Sequence, residues 1–113
     1  MSTPISTEIY CDYLAGVGHY SHADAAEAQL LTPGAALKIV PEPTNEYDPD
    51  AIAIHAGDYK LGFIKRVHTG PIHDFLKHSD KLTVSAYLNH YDATNPDYKK
   101  ISVKVIVTPT NEN

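Results

Sequence analysis

Tryptophan is absent from this 113-residue chain, and cysteine and methionine occur once each. A lone Cys11 closes no internal disulfide and supplies no paired-thiol metal site. Cations are scarce as well: nine Lys and Arg stand against fourteen Asp and Glu, for a net charge of −5. A protein that grips a long nucleic-acid backbone gains affinity by displacing counterions, which takes a basic surface. The charge therefore makes the chain a poor candidate for a long-groove binder and leaves room for a small local site. No apolar run approaches the length of a membrane span. The N-terminus MSTPISTEIY lacks the basic and apolar regions of a signal peptide, so a cytoplasmic protein is expected. Catalytic signatures are missing too. There is no GxSxG, no HExxH, no phosphate-binding glycine loop and no cysteine in a basic setting. Asp48 beside a histidine would make an acid–base pair, but no nucleophile accompanies it, and a non-enzyme is expected.

What the chain does have is tyrosine, eight of them, and histidine, seven. Tyrosine carries an apolar ring and a polar tip, which suits both half-buried sheets and contact surfaces. The histidines (His19, His22, His55, His68, His73, His78 and His90) lack metal-site spacing. His73 and His78 lie five apart and do not share a helix face, and neither His19–His22 nor His68–His73 has an evident third partner. They read as surface or half-buried side chains, and no metal or cofactor is expected.

The length suits one domain, taken as 1–113 with a core of about 5–108. Period-two patterning dominates. Ile5, Thr7, Ile9, Cys11, Tyr13, Ala15 and Val17 alternate as one apolar face, predicting a long first strand interrupted near Gly16. Cys11 then reads as a small buried hydrophobe. HADAAEAQLL holds one or two helical turns, and TPG at 32–34 is a turn. AALKIVPEP predicts a second strand ending at Pro41, DAIAIH a third with Ile52 and Ile54 inward, and KLGFIK a fourth after a Gly57–Asp58 hairpin. The clearest helix lies near 70–78, with Thr69 as cap, Pro71 in the first turn and a stripe of Ile72, Phe75 and Leu76. KLTVSAYLNH and YKKISVKVIV are the last strands, the latter with Ile101, Val103, Val105 and Val107 on one face. Lys99, Lys100 and Lys104 read as a solvated strand face.

Six strands with one or two short helices predict a mostly-β barrel or curled sheet. Its core should hold Leu37, Ile39, Ile52, Ile54, Leu61, Ile64, Phe75, Leu76, Leu82, Val84, Val103 and Val105.

One segment is over-specified for a plain turn. EPTNEYDPDAIAI, residues 42–54, sets Asn45, Tyr47 and Asp48 between two prolines, ahead of a strand. Asn and Asp bond back to nearby backbone and Pro stiffens the path, which is one complete reading. A recognition loop is the other, because tyrosine is an unusual turn residue and the strand fixes the loop's base. Two outcomes separate them. Tyr47 packed inward with Asp48 holding the turn would make the loop structural. Convergence of His19, Tyr47 and Asp48 on one groove beside Lys65 and Arg66 would favour a binding site.

The order AGVGHY (15–20), LKIVPEPTNEYDPDAIAI (37–54) and KLGFIKR (60–66) resembles the HIRAN domain over residues 9–107. That small module stands alone in bacteria and phages or is attached to eukaryotic DNA-remodelling helicases. The resemblance implies an OB-like barrel that holds the 3′ end of single-stranded DNA. By that likeness Asp48 accepts a hydrogen bond from the 3′-hydroxyl, Tyr47 stacks on the end base, and Asn45 bonds the terminal nucleotide. Lys65 and Arg66 lie near phosphate. His19 falls where DNA-binding members carry a stacking Tyr, Gly18 where they carry an Arg, and Phe63 where they carry a His. Tyr20 belongs to the same segment as His19, and Tyr87 or Tyr91 is expected to cover the end base. The resemblance thus implies a non-catalytic binder of single-stranded DNA in repair or processing, with a helicase or nuclease as a protein partner. The alternative is a protein-interaction or accessory module without DNA binding, favoured by the acidic balance and by Gly18.

Overall fold

The computed structural model describes residues 5–110. Six strands form one antiparallel sheet: β1 (Thr7–Tyr13), β2 (Ala36–Pro41), β3 (Ile52–Ala56), β4 (Tyr59–Phe63), β5 (Leu82–Tyr91) and β6 (Ile101–Pro109). Their order is β1-β6-β5-β2-β3-β4. Two short helices, α1 (His22–Glu27) and α2 (Thr69–Leu76), fill the connections. The sheet curls into a half-barrel of OB-like form, as its alternating strands predict.

A single bridge draws the ends of the sheet together. Leu14 N–H donates to the Ile101 carbonyl at 2.8 Å, and Ala15 exchanges hydrogen bonds with Phe63 at 2.8 and 2.9 Å. The chain leaving β1 therefore touches both β6 and β4. Gly62 permits this approach: a Cβ there would sit 2.6 Å from the Ala15 carbonyl oxygen. The LG pair of KLGFIKR is thus a packing requirement, since any larger residue would push the segment off β4.

Strict alternation survives best in the sheet's interior. Ile101, Val103, Val105 and Val107 of β6 are all buried, as are Ala86 and Leu88 of β5. Ile52 and Ile54 face inward with zero exposure. Leu37, Leu61 and Ile64 join them in the core, while Ile39, Leu76 and Val84 are half-buried against it.

The first strand departs from its sequence pattern. The pairing of β1 with β6 shifts register between Glu8 and Tyr10. A bulge inserts one residue, and every later side chain changes face. Tyr10 and Leu14 are therefore buried, and Cys11, expected inside, is exposed opposite Lys104. Phe75 and Leu82 also fall outside the core and are half-buried. The residue that anchors α2 is Ile72, 1 % exposed. Thr69 does not cap α2. It is the first helical residue, and its hydroxyl donates to the Arg66 carbonyl at 3.0 Å. Among the described residues no helix is long and apolar enough to cross a membrane.

Candidate functional site

The Glu42–Asp50 loop is braced from within. Glu42 N–H donates to the Ala51 carbonyl at 2.9 Å, extending the β2–β3 pairing by one step. Asn45 then organises the turn. Its Oδ1 accepts from Tyr47 N–H at 2.9 Å and from Asp48 N–H at 3.1 Å, and its Nδ2 donates to Glu42 Oε1 at 3.0 Å. Asp48 Oδ1 accepts from Asp50 N–H at 2.9 Å, and the His73 ring nitrogen Nε2 lies 2.8 Å from the Asp50 carbonyl. Backbone polar groups are met locally, so the loop holds its shape without burying Tyr47. The Tyr47 side chain is 85 % exposed.

Across from this loop stands an aromatic wall. Tyr20 follows a 3-10 turn at Val17–His19, and the next residue, Ser21, hydrogen-bonds to the Lys60 carbonyl of β4. The Tyr20 ring meets Phe63 edge-on, with centroids 5.6 Å apart. The Lys60 ammonium lies 4.4 Å from the Phe63 centroid and 4.7 Å from that of Tyr20, within cation–π range. Between loop and wall runs a groove of about 250 Å3. Tyr20, Asn45, Tyr47, Asp48, Phe63 and Arg66 all line it, over a base formed by Ala15, Ala51 and Ile64. The lining pairs aromatic faces with one carboxylate and one guanidinium. Such a surface stacks a flat ring and bonds a polar group beside it.

The other expected site residues lie elsewhere. His19 is exposed next to the wall, its ring 6.4 Å from that of Tyr20, and is not part of the lining. Lys65 turns to Asp12 at 3.0 Å, a carboxylate it shares with His68 at 3.6 Å. Tyr91 bonds His22 through its hydroxyl at 3.0 Å, and Tyr87 sits half-buried on β5 opposite Lys104. Neither tyrosine reaches the groove. The lysine group predicted as a strand face is also dispersed. Lys99 ends a 3-10 turn, and Lys100 is anchored by Asp97 at 2.9 Å and the Asn95 carbonyl at 2.6 Å. Only Lys104 rides on a strand, near Glu8.

An acidic side chain lies over Gly18. A Cβ at that position would collide with the Asp97 carboxylate. That carboxylate is the exposed end of a short side chain, so a residue at position 18 is admitted once it swings aside.

Two features of this site lie outside the sequence reading, Lys60 and Glu42. Their salt bridge is 2.6 Å long. Burial would raise the Glu42 carboxyl, but hydrogen bonds from Lys60 and Asn45 outweigh it and hold the pKa below the usual carboxylate value. Glu42 therefore stays ionised, with one oxygen on each partner. At the mouth of the groove Asp48 Oδ2 lies 3.3 Å from Arg66 Nε, while the Arg66 side chain remains 75 % exposed. The rest of that guanidinium faces solvent. Among the described residues no three His, Cys, Asp or Glu side chains gather as a metal would require.

The HIRAN domain family model matches residues 10–110. No curated protein matches the sequence significantly. Among solved structures, a Lactobacillus plantarum protein determined by structural genomics superposes with a TM-score of 0.71 at 17 % identity. That match covers 96 % of this chain and 99 % of the other. The HIRAN domain of human HLTF superposes with a TM-score of 0.61 at 12 % identity, covering 92 % and 78 %. At such low identities these two matches speak for the fold. The family match spans nearly the whole chain and agrees with the EPTNEYD and LGFIKR segments that build the groove: the chain belongs to the HIRAN domain family of nucleic-acid-binding modules.

Proposed function

We propose that this chain binds single-stranded DNA at a free 3′-hydroxyl end, without catalysis, as part of DNA repair or processing in the cytoplasm. One observation carries the reading. A self-braced loop and an aromatic wall face each other across one groove, with a carboxylate and a guanidinium at its mouth. Tyr47 and the Tyr20–Phe63 wall would hold the end base by stacking, which tolerates any sequence. Asp48, ionised, only accepts hydrogen bonds, so it favours a hydroxyl and repels a phosphate. Arg66 would take the adjoining phosphate. Asn45 has both oxygen lone pairs and one N–H engaged in the loop, which leaves one N–H for the nucleotide. Tyr20 and Phe63 take the covering role that the sequence suggested for Tyr87 or Tyr91. His19 and Lys65 lie outside the groove and would meet only nucleotides beyond it. A helicase or nuclease remains the kind of partner such an end-reader would serve.

The test is fluorescence anisotropy at low salt with a short labelled strand ending in a 3′-hydroxyl or a 3′-phosphate. Tighter binding of the hydroxyl end is expected. Equal affinity would reduce the function to backbone contact. No binding to either strand would favour the second reading, a protein-interaction module, whose support is the net charge of −5 and the Asp97 carboxylate seated on Gly18.

A further inference from the structure

Lys60 touches both halves of the groove. Its ammonium rests over the Tyr20 and Phe63 rings and bonds Glu42 Oε2 at 2.6 Å. The second Glu42 oxygen takes the Asn45 amide, and Asn45 in turn holds the Tyr47 and Asp48 N–H groups. A continuous path of contacts thus runs from the wall, through one lysine and one glutamate, to the loop that presents Tyr47 and Asp48. Both members of the pair are about three-quarters shielded, with side-chain exposures of 25 % and 23 %. Shielding strengthens a charge-assisted hydrogen bond relative to one in open water.

We propose that Lys60, acting through Glu42, is a positioning residue that locks the aromatic wall and the Asn45–Asp48 loop into one preformed groove. The proposal rests on the DNA-end reading for its effect on binding and on geometry alone for its effect on the loop. Tyr20 is held from a turn and by its edge-on contact with Phe63, and Tyr47 stands in solvent. Without the Lys60 link each would be ordered at the moment of binding, and that ordering weakens affinity. The ammonium does not need to touch the ligand for this. Its neighbours already occupy it.

Lys60→Met keeps the stem over the rings and removes the charge. Lys60→Arg keeps a cation, and Glu42→Gln keeps an acceptor for Asn45 while weakening the bond to Lys60. Two quantities are read for each: amide hydrogen exchange at Tyr47 and Asp48, with β6 amides as the internal reference, and affinity for the 3′-hydroxyl strand across a salt series. Lys60→Met should speed exchange at Tyr47 and Asp48 but not in β6, and should weaken binding roughly tenfold, as loss of preorganisation of one or two side chains would. Its salt slope should equal that of the wild type, and Lys60→Arg should restore both readouts. Glu42→Gln should move them in the same direction by less, and it decides the matter if Lys60→Met does not fold. Unchanged loop exchange in a folded Lys60→Met overturns the proposal. So does a salt slope reduced by about one, which marks a direct phosphate contact. If the wild type binds no strand, the DNA-end reading fails by itself, and the exchange data alone uphold or overturn the coupling.

Discussion

Replacing Asp48 by alanine separates the two tasks this carboxylate performs. In the free protein its Oδ1 accepts from Asp50 N–H at 2.9 Å, and its Oδ2 faces Arg66 Nε at 3.3 Å. The first contact is a local turn bond, and losing it costs about 1 kcal/mol. The second joins a partner that is 75 % exposed, so its contribution is below about 0.5 kcal/mol. The loop has other braces, because Asn45 still holds Tyr47 and Asp48 and the Asp48 carbonyl still accepts from Ala51 N–H at 3.1 Å. Asp48→Ala should therefore fold, with the melting temperature lowered by about 4–6 °C.

Binding should respond more sharply, and differently for the two kinds of end. A hydrogen bond from the 3′-hydroxyl to a carboxylate contributes about 1.5–3 kcal/mol. Affinity for a hydroxyl-ended strand should drop roughly ten- to hundredfold. A strand ending in 3′-phosphate meets the opposite situation. Removing the carboxylate relieves repulsion and frees Arg66, so its affinity should hold or rise. The assay is anisotropy titration of both strands against both proteins, with circular dichroism melting as the check on folding. An equal loss for the two ends would refute the reasoning, since Asp48 would then act only by shaping the loop. An unfolded variant would refute the stability ledger as well.

Tyr47→Ala should leave the melting temperature within about 1 °C, because an 85 % exposed side chain packs on little. Anisotropy should nonetheless show weaker binding by about 1–3 kcal/mol, the contribution of one base stack. Gly18→Arg should lower thermal stability only slightly, because what it displaces is the exposed end of Asp97 and its pairing with Lys100. Adding Asp97→Ala should recover part of that loss and raise affinity for a single strand, by supplying a cation beside His19 and Tyr20. In acid, the depressed Glu42 carboxyl sets the direction. Its folded pKa lies below the ordinary carboxylate value, so its contribution is complete above that value and fades as pH falls through the folded pKa. Melting temperature followed down from pH 7 should first ease through the histidine range, because burial holds the His55 pKa below its ordinary value and the unfolded chain takes up that proton more readily. It should then decline further in the carboxylate range, where Glu42→Gln is less steep. Burial would raise the Asp12 carboxyl, but Lys65 and the Tyr13 N–H together outweigh it and lower the pKa, so Asp12 adds to the wild-type decline in the same direction.

The fold was legible most clearly in β6. β6 lies between β1 and β5, and every odd residue from Ile101 to Val107 is buried. β1 was legible as a strand but not in its facing. Alternation in sequence assumes one residue per step, and the bulge before Tyr10 adds a residue that composition does not announce. The groove was legible in part, for a related reason. Asn45, Tyr47 and Asp48 are close in sequence, and so are Phe63 and Arg66, so their grouping needs no knowledge of tertiary contacts. Glu42 and Lys60 meet only after β2, β3 and β4 fold back on one another. They are not even lateral partners: Glu42 bonds Ala51 while Lys60 lies opposite His55. Their side chains cross the sheet diagonally, and no strand alignment would have matched them.

The acidic composition carries a narrower meaning than its sign suggests. Six of the nine Lys and Arg side chains are paired with a carboxylate: Lys60, Lys65, Arg66, Lys77, Lys100 and Lys104. Cations held this way present less free charge to a phosphate backbone, which disfavours binding through many counterion-releasing contacts. The groove relies on other forces. Its walls are aromatic, its base is alanine and isoleucine, and its one exposed cation already shares a carboxylate. Stacking on such walls is indifferent to net charge, and a carboxylate beside a guanidinium distinguishes a hydroxyl from a phosphate because it attracts one and repels the other. On the proposed reading, a chain too acidic to hold the length of a strand holds its end. The same carboxylates that disfavour the first mode position the residues needed for the second: Glu42 sets Asn45, and Asp48 closes the turn beneath Tyr47.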